Sequence, residues 1–307
     1  MKTAVIFAGQ GSQAVGMGKD FYEEFDTFRE VFDNLSEEEK NIAWNGPSDV
    51  LADTQYTQPI LFAYGMGVFR LFEEAGVKFD MGAGLSLGEY TALCSANVWD
   101  IKDAIDLVRF RARNMKLAAA GIEAGMCAVL GLEKDKVAQC CYKASSDAGI
   151  VSITNLNCPG QIVISGEKNA VLKAADLAVK LGAKRCLPLA VSGPFHTKYM
   201  DKAGEALREK FETLVFREPE FTILYNCIGR QKANDENISE LLVKQVSTGV
   251  LMEGIIRRIL HDGVDTIVEI GPGKVLAGFV NKIDRNANCI SISDVSDFRD
   301  ALKELKK

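Results

Sequence analysis

The stretch Ala83-Gly84-Leu85-Ser86-Leu87-Gly88-Glu89-Tyr90 constrains this chain more than any other. A Gly-x-Ser-x-Gly pattern turns a strand sharply into a helix and leaves the serine hydroxyl exposed at the helix N-terminus. The flanking glycines let the backbone turn without a Cβ clash. The context fits. Residues 79–84 are short and mostly apolar, as a buried strand end is, and residues 88–94 hold few helix breakers. A chain with 27 glycines also meets the pattern by chance, so the rest of the sequence has to decide.

At 307 residues the chain is long enough for one large domain or two modest ones. A net charge of −6 argues against nucleic acid or an anionic membrane as a partner. No apolar run reaches the length of a membrane span. Residues 1–8 meet Gly9 too soon for a signal peptide and read as a buried first strand. Eight cysteines in a chain of this length are not a secreted disulfide framework, and no C-x-x-C pair exists. The two histidines, His196 and His261, lie far from any cysteine cluster, so metal-ligand spacing is absent. Reduced, packed thiols and a cytoplasmic location are expected.

Short β-rich runs alternate with helical patterns, which reads as α/β. Strands are expected at 3–8, 81–85, 126–132, 150–154, 161–165, 184–189, 222–225 and 266–270. Helices are expected at 21–35, 58–74, 87–96, 100–119, 134–146, 167–181, 198–214 and in segments over 236–261, with a final helix, strand and helix. Residues 155–160 read as a turn-rich link. The order β-α-β-β-α-β over 126–189 is the ferredoxin-like unit. The expected organisation is therefore a large domain with a parallel sheet, formed by 1–122 and 193–307, interrupted by a small ferredoxin-like subdomain over 123–192.

Gly9-Gln10-Gly11-Ser12-Gln13-Ala14 follows the first strand and matches a dinucleotide fingerprint, but no second strand ending in an acidic residue follows. No cofactor is expected. The loop instead offers backbone N–H groups and the Gln10 amide at the sheet edge, where donors stabilise an oxyanion. Gly271-Pro272-Gly273 lacks the spacing of a phosphate loop and reads as a turn into a helix.

A serine nucleophile needs a base, and histidine is the usual one. His261 reads as a helix C-terminal residue, where a cation suits the dipole. His196 follows Gly193-Pro194-Phe195 at the mouth of a strand and is the favoured base. On the helix over 100–119, Arg109 and Arg113 fall on a polar stripe with Asp106, whereas Arg111 falls on the apolar stripe with Ala104, Val108 and Met115. A buried guanidinium must be paired. A protein carboxylate or a substrate carboxylate gripped by two N–H groups would each serve.

Taken together, these residues resemble the malonyl-CoA:acyl carrier protein transacylases of bacterial fatty acid synthesis. The resemblance runs over the whole chain. It rests on Gly9-Gln10-Gly11-Ser12-Gln13, Leu85-Ser86-Leu87-Gly88-Glu89, Arg111, Asn157-x-Pro159-Gly160-Gln161, Pro194-Phe195-His196, Gln245 and Glu269-x-Gly271-Pro272-Gly273. The fold it implies is an α/β-hydrolase-like large domain with the ferredoxin-like insert. The activity it implies is transfer of a malonyl group from malonyl-CoA to the phosphopantetheine thiol of acyl carrier protein, in ping-pong fashion. By the same resemblance Ser86 attacks the thioester and His196 moves its proton. The backbone carbonyl of Gln245 orients that histidine, Leu87 N–H and Gln10 hold the oxyanion, and Arg111 binds the malonyl carboxylate. Phe195 implies preference for malonyl over methylmalonyl, because it fills the space of an α-methyl.

The sequence departs from the family at Leu85, where histidine is usual, and at Gly249 and Met252, where proline and tryptophan are common. A serine thioesterase, a carrier-docking module with a decayed site and a stand-alone polyketide acyltransferase are the rival readings. Lys198, Lys202 and Arg230 are candidate contacts for an acidic carrier protein. A monomer is expected.

Overall fold

The computed structural model describes residues 1–145, 149–189 and 193–306. The expected helix end at Ser146 and the subdomain boundary at 192 lie outside the described residues. Along the chain, β1 (Thr3–Phe7) is followed by α1 (Lys19–Glu24), α2 (Asp26–Phe32), α3 (Glu37–Asn45), α4 (Ser48–Leu51) and α5 (Thr54–Glu74). Next come β2 (Met81–Gly84), α6 (Leu87–Ser95), α7 (Ile101–Ala119), β3 (Ala124–Leu130), α8 (Lys134–Ser145), β4 (Val151–Cys158), β5 (Gln161–Glu167), α9 (Lys168–Lys180) and β6 (Arg185–Leu189). The chain ends with α10 (Asp201–Phe211), β7 (Thr222–Ile223), α11 (Ile238–Ser247), α12 (Met252–His261), β8 (Thr266–Ile270), α13 (Val275–Ile283), β9 (Asn288–Ile292) and α14 (Val295–Leu305).

Two compact units result. The first comprises Met1–Ala112, Val215–Tyr225 and Ile256–Lys307. Its sheet has the order β7-β2-β1-β8-β9, and every neighbouring pair is parallel. β1 is Thr-Ala-Val-Ile-Phe with all five residues buried, the signature of a parallel strand covered on both faces. Phe7 lies opposite Gly84, so β1 and β2 end side by side. The Gly9–Gln13 loop and the Ser86 turn leave from that carboxyl edge, where open α/β sheets place their sites. Beneath them α5 is buried along most of its length. Phe28 stacks on Phe21 at 5.3 Å and on Phe32 at 5.2 Å, and Tyr64 of α5 meets Phe21 edge-on.

The second unit comprises Arg113–Leu214 and Asn226–Ile255. Its sheet, β4-β5-β3-β6, is antiparallel throughout, which is the ferredoxin-like order of a β-α-β-β-α-β chain. Its core packs Val129, Ile162 and Ile164 of the sheet against Val137 and Cys140 of α8 and Ala170 and Ala174 of α9.

Three expectations need correction. The helix over 21–35 is two helices, because Phe25 adopts an extended conformation (φ −120°, ψ 122°). The Arg29 guanidinium takes up the Tyr22 and Glu23 carbonyls that the break releases. The helix expected from Gln58 begins at Thr54, with Asp53 as its cap and Pro59 inside it. Residues 155–158 are not a link but the bulged continuation of β4, and only Pro159-Gly160 turns. The bulges loosen pairing to β5 while the other edge of β4 is satisfied by Val250, whose N–H reaches Thr154 O and whose carbonyl accepts from Leu156 N–H. That ladder fixes the segment holding Gly249 and Met252, the positions that depart from the family pattern.

Candidate active site

The serine of the first unit sits where the sequence placed it, between β2 and α6. Its backbone (φ 54°, ψ −100°) occupies a region that non-glycine residues rarely visit, at a cost of about 1–3 kcal/mol. The neighbours hold it there. Leu85 N–H bonds Phe7 O at 3.0 Å and Gly88 N–H bonds Leu85 O at 3.0 Å. The two glycines of the pattern are required by proximity. A Cβ on Gly84 would lie 2.0 Å from the Gly88 carbonyl carbon, and one on Gly88 would lie 2.3 Å from the Phe7 carbonyl oxygen. Leu87 is the first residue of α6, so its N–H is among those a helix leaves for other acceptors, at the positive end of the dipole.

Arg111 is 1% exposed, on the apolar face of α7 that the sequence assigned to it. Its guanidinium donates to Ser86 Oγ at 3.1 Å and to Gln58 Oε1 at 2.6 Å, and it lies 5.0 Å from the centre of the Tyr90 ring. Burial lowers its pKa, with Tyr90 and Glu89 opposing. Gln10 is tied into the same unit by the Thr54 hydroxyl, which donates to its Oε1 at 2.9 Å. Gln58, Thr54 and Tyr90 escaped the sequence reading. Their signal was weak but present: two polar residues one turn apart on the otherwise apolar face of α5, and a tyrosine directly after the elbow.

The second unit holds the histidine. His196 is buried with φ 60°, and Gln245 O accepts from its Nδ1–H at 2.8 Å. A carbonyl only accepts, so Nδ1 carries the proton and Nε2 keeps its lone pair. Gln245 is among the last four residues of α11, whose carbonyls lack an intrahelical donor. The Thr248 hydroxyl bonds the Lys244 carbonyl at 2.7 Å, and the imidazole takes the next one. The negative end of a helix favours a cationic ring. Phe195 is buried beside His196 in sequence, and a Cβ on Gly193 would strike its ring at 2.8 Å.

The family model for the acyl transferase domain matches residues 5–297. The chain belongs to the malonyl-CoA:acyl carrier protein transacylases. It is 38% identical to the malonyl CoA-acyl carrier protein transacylase of Bacillus subtilis, over 100% of this chain and 98% of that one. It is 37% identical to the Haemophilus influenzae protein of the same name, over 97% of each. Among solved structures, the Clostridium perfringens transacylase superposes with a TM-score of 0.93 at 38% identity, covering 100% of this chain and 98% of that one. A malonyl-transacylase held in complex with its type II polyketide-synthase acyl carrier protein superposes with 0.94 at 35% identity, covering 99% and 100%.

Other residues singled out in this transacylase find their places. His261 ends α12, exposed beside Asp262. Arg109, on the polar stripe of α7, is half-buried. Besides Asp106 at 3.1 Å it forks onto the buried Glu39 at 2.6 and 3.0 Å. Burial pushes the Glu39 pKa up, but hydrogen bonds from Arg109 and the Ser36 N–H outweigh it and leave the pKa lowered. Of the candidate carrier contacts, Lys198 and Lys202 are exposed, whereas the two terminal nitrogens of Arg230 are engaged by Glu236 at 2.7 and 2.9 Å. No helix among the described residues is long and apolar enough to cross a membrane.

Proposed function

We propose that this chain transfers the malonyl group of malonyl-CoA to the phosphopantetheine thiol of acyl carrier protein, supplying fatty acid synthesis. The observation that carries the proposal is a guanidinium, buried to 1% exposure, 3.1 Å from the hydroxyl of an elbow serine. An acyl group bearing its own carboxylate supplies the anion that such a cation calls for.

Ser86 Oγ attacks the thioester carbonyl, and His196 Nε2 takes the hydroxyl proton. The oxyanion that forms is held by Leu87 N–H and Gln10, in the manner of donors arranged in advance of the charge. Collapse expels the CoA thiolate, which recovers the proton from His196, and leaves malonyl-serine. The carrier thiol then reverses the sequence. The Gln245 carbonyl keeps the imidazole in the tautomer that this requires. Phe195 selects malonyl over methylmalonyl, and Lys198 and Lys202 meet the acidic carrier protein. The enzyme acts as a cytoplasmic monomer, for which sedimentation is the check. The subdomain spans 123–192.

The test is the intact mass of the protein after brief exposure to malonyl-CoA, followed by addition of the holo carrier protein. The expected result is a malonyl adduct, absent in Ser86→Ala, that the carrier discharges. CoA released without any adduct would indicate hydrolysis instead, and neither adduct nor release would overturn the reading of Ser86.

A further inference from the structure

Glu269 is a carboxylate of 0% exposure on the interior strand β8, and three donors converge on it. Its Oε1 accepts from Leu276 N–H at 2.8 Å. Its Oε2 accepts from Ala277 N–H at 3.0 Å and from the Ser291 hydroxyl at 2.7 Å. Leu276 and Ala277 belong to the first turn of α13, whose N-cap residue Lys274 supplies no side-chain bond. The carboxylate thus does from β8 what a cap does locally. It satisfies two N–H groups that a helix leaves open, at the positive end of the dipole. In doing so it clamps the Gly271-Pro272-Gly273 turn, which joins β8 to α13. The chain at the end of β9 grips the same turn. Gly271 N–H donates to Ile292 O at 3.2 Å, and Gly273 N–H donates to Ser293 Oγ at 3.1 Å.

The clamped turn abuts the loop after β1. Ala8 N–H bonds Ile270 O at 3.0 Å, and a Cβ on Gly271 would lie 2.2 Å from the Ala8 Cβ. The next residue meets the elbow itself, since a Cβ on Gly9 would lie 2.3 Å from the Leu85 carbonyl oxygen. Gln10 follows, and among the described residues nothing accepts from its main-chain N–H. Two successive residues therefore touch the turn and the residue before Ser86, and the next N–H is open. We propose that Glu269 is a positioning residue for acylation. By clamping the turn to α13 it fixes the Ala8–Gln10 backbone against the elbow, so that the main-chain N–H of Gln10 stands ready, with that of Leu87, for the oxyanion. The proposal rests on the reading that Ser86 is acylated and that these two N–H groups hold the oxyanion. A carboxylate accepts from all three donors at once, whereas an amide in its place would turn its NH₂ toward one of the α13 N–H groups. Donors fixed before the charge forms act on the transition state, so the loss falls on kcat and not on binding.

The experiment follows malonyl-Ser86 by intact mass in single-turnover acylation, beside steady-state malonyl transfer, for wild type, Glu269→Gln and Ala8→Gly. Glu269→Gln should acylate about 10- to 100-fold more slowly, as for a donor displaced but not removed, with the KM for malonyl-CoA unchanged. Its end point should still be a malonyl group on essentially every molecule, because each folded molecule keeps Ser86 and its base. A merely structural role gives the opposite pattern, a partial end point reached at the wild-type rate, since the unfolded fraction is silent and the rest is normal. That pattern overturns the proposal, as does an acylation rate within about twofold of wild type or a change in KM alone. If Glu269→Gln does not fold, Ala8→Gly removes the methyl group that Gly271 abuts and leaves the carboxylate in place. It should slow acylation more than about twofold at a full end point, and a smaller effect overturns the proposal. Failure of wild type to form malonyl-Ser86 would instead sink the proposed function, whatever Glu269 does.

Discussion

Arg111→Ala tests the reading of the site most sharply, because it should change which substrate is used and not only how fast. The side chain is 1% exposed and reaches both Ser86 Oγ and Gln58. In a dry site each charge-assisted hydrogen bond to a carboxylate is worth about 1.5–3 kcal/mol. Two such bonds from the guanidinium fork amount to roughly 3–6 kcal/mol, or about 10²–10⁴ in kcat/KM for malonyl-CoA. Acetyl-CoA makes neither bond. It should lose only the help that Arg111 gives to the serine hydroxyl, less than about tenfold. The malonyl-to-acetyl preference should thus fall by about 10²-fold or more. Arg111→Lys, which keeps the charge without the planar fork, should lie between. The assay is competition between the two CoA esters read by intact mass, with thermal melts to check that the space left beside Tyr90 has not unfolded the protein. Equal losses for both esters would refute the carboxylate role and leave Arg111 as a structural or serine-orienting residue.

Gly88→Ala should destabilise by about 3 kcal/mol, because the added Cβ meets the Phe7 carbonyl at 2.3 Å and that atom belongs to the central strand. An unchanged melting temperature would count against the packing argument. Glu39→Gln should cost about 2 kcal/mol at neutral pH, a buried-pair loss reduced because Arg109 is one-third exposed. The folded pKa of Glu39 is lowered, so its contribution is present above its unfolded value of 4.5 and fades as pH falls through the folded one. Denaturant melts of both proteins should converge in acid, and a gap independent of pH would contradict this. Phe195→Ala should raise the relative rate with methylmalonyl-CoA by at least about tenfold, since one methyl group is worth 10–200-fold in a fitted pocket. An unchanged ratio of the two rates would remove Phe195 from specificity.

Most of the fold was legible because its strands are short apolar runs and its chemistry clusters at turns. β1, β2, β8 and the ferredoxin-like order all follow from pattern alone. The failures share a cause in contacts that pattern does not carry. Phe25 leaves the helix for a place between Phe21 and Phe298, and Arg29 replaces the lost bonds from outside. The continuation of β4 depends on a partner strand residue nearly a hundred positions away, Val250. α3 falls outside the expected helices although its Ser36 and Glu39 spell a capping box in the sequence. Among the candidate site residues, Ser86, His196 and Arg111 are marked by glycines, a proline turn and a charge on an apolar stripe. Thr54 and Gln58 are not, because a buried amide looks like any helical glutamine until its partners are known.

The bond between His196 and the Gln245 carbonyl places the orientation of the proposed base beyond the reach of side-chain substitution. Any residue at position 245 supplies the same oxygen, so a scan of substitutions there reports how well each side chain packs and is blind to what the main chain does. The dependence moves to the length of α11 and to the Thr248 cap. A single-residue insertion or deletion before the helix end would present a different carbonyl to the ring, or none. What is inherited here is a reading frame of helix turns, and it tolerates replacement far better than it tolerates a change of count.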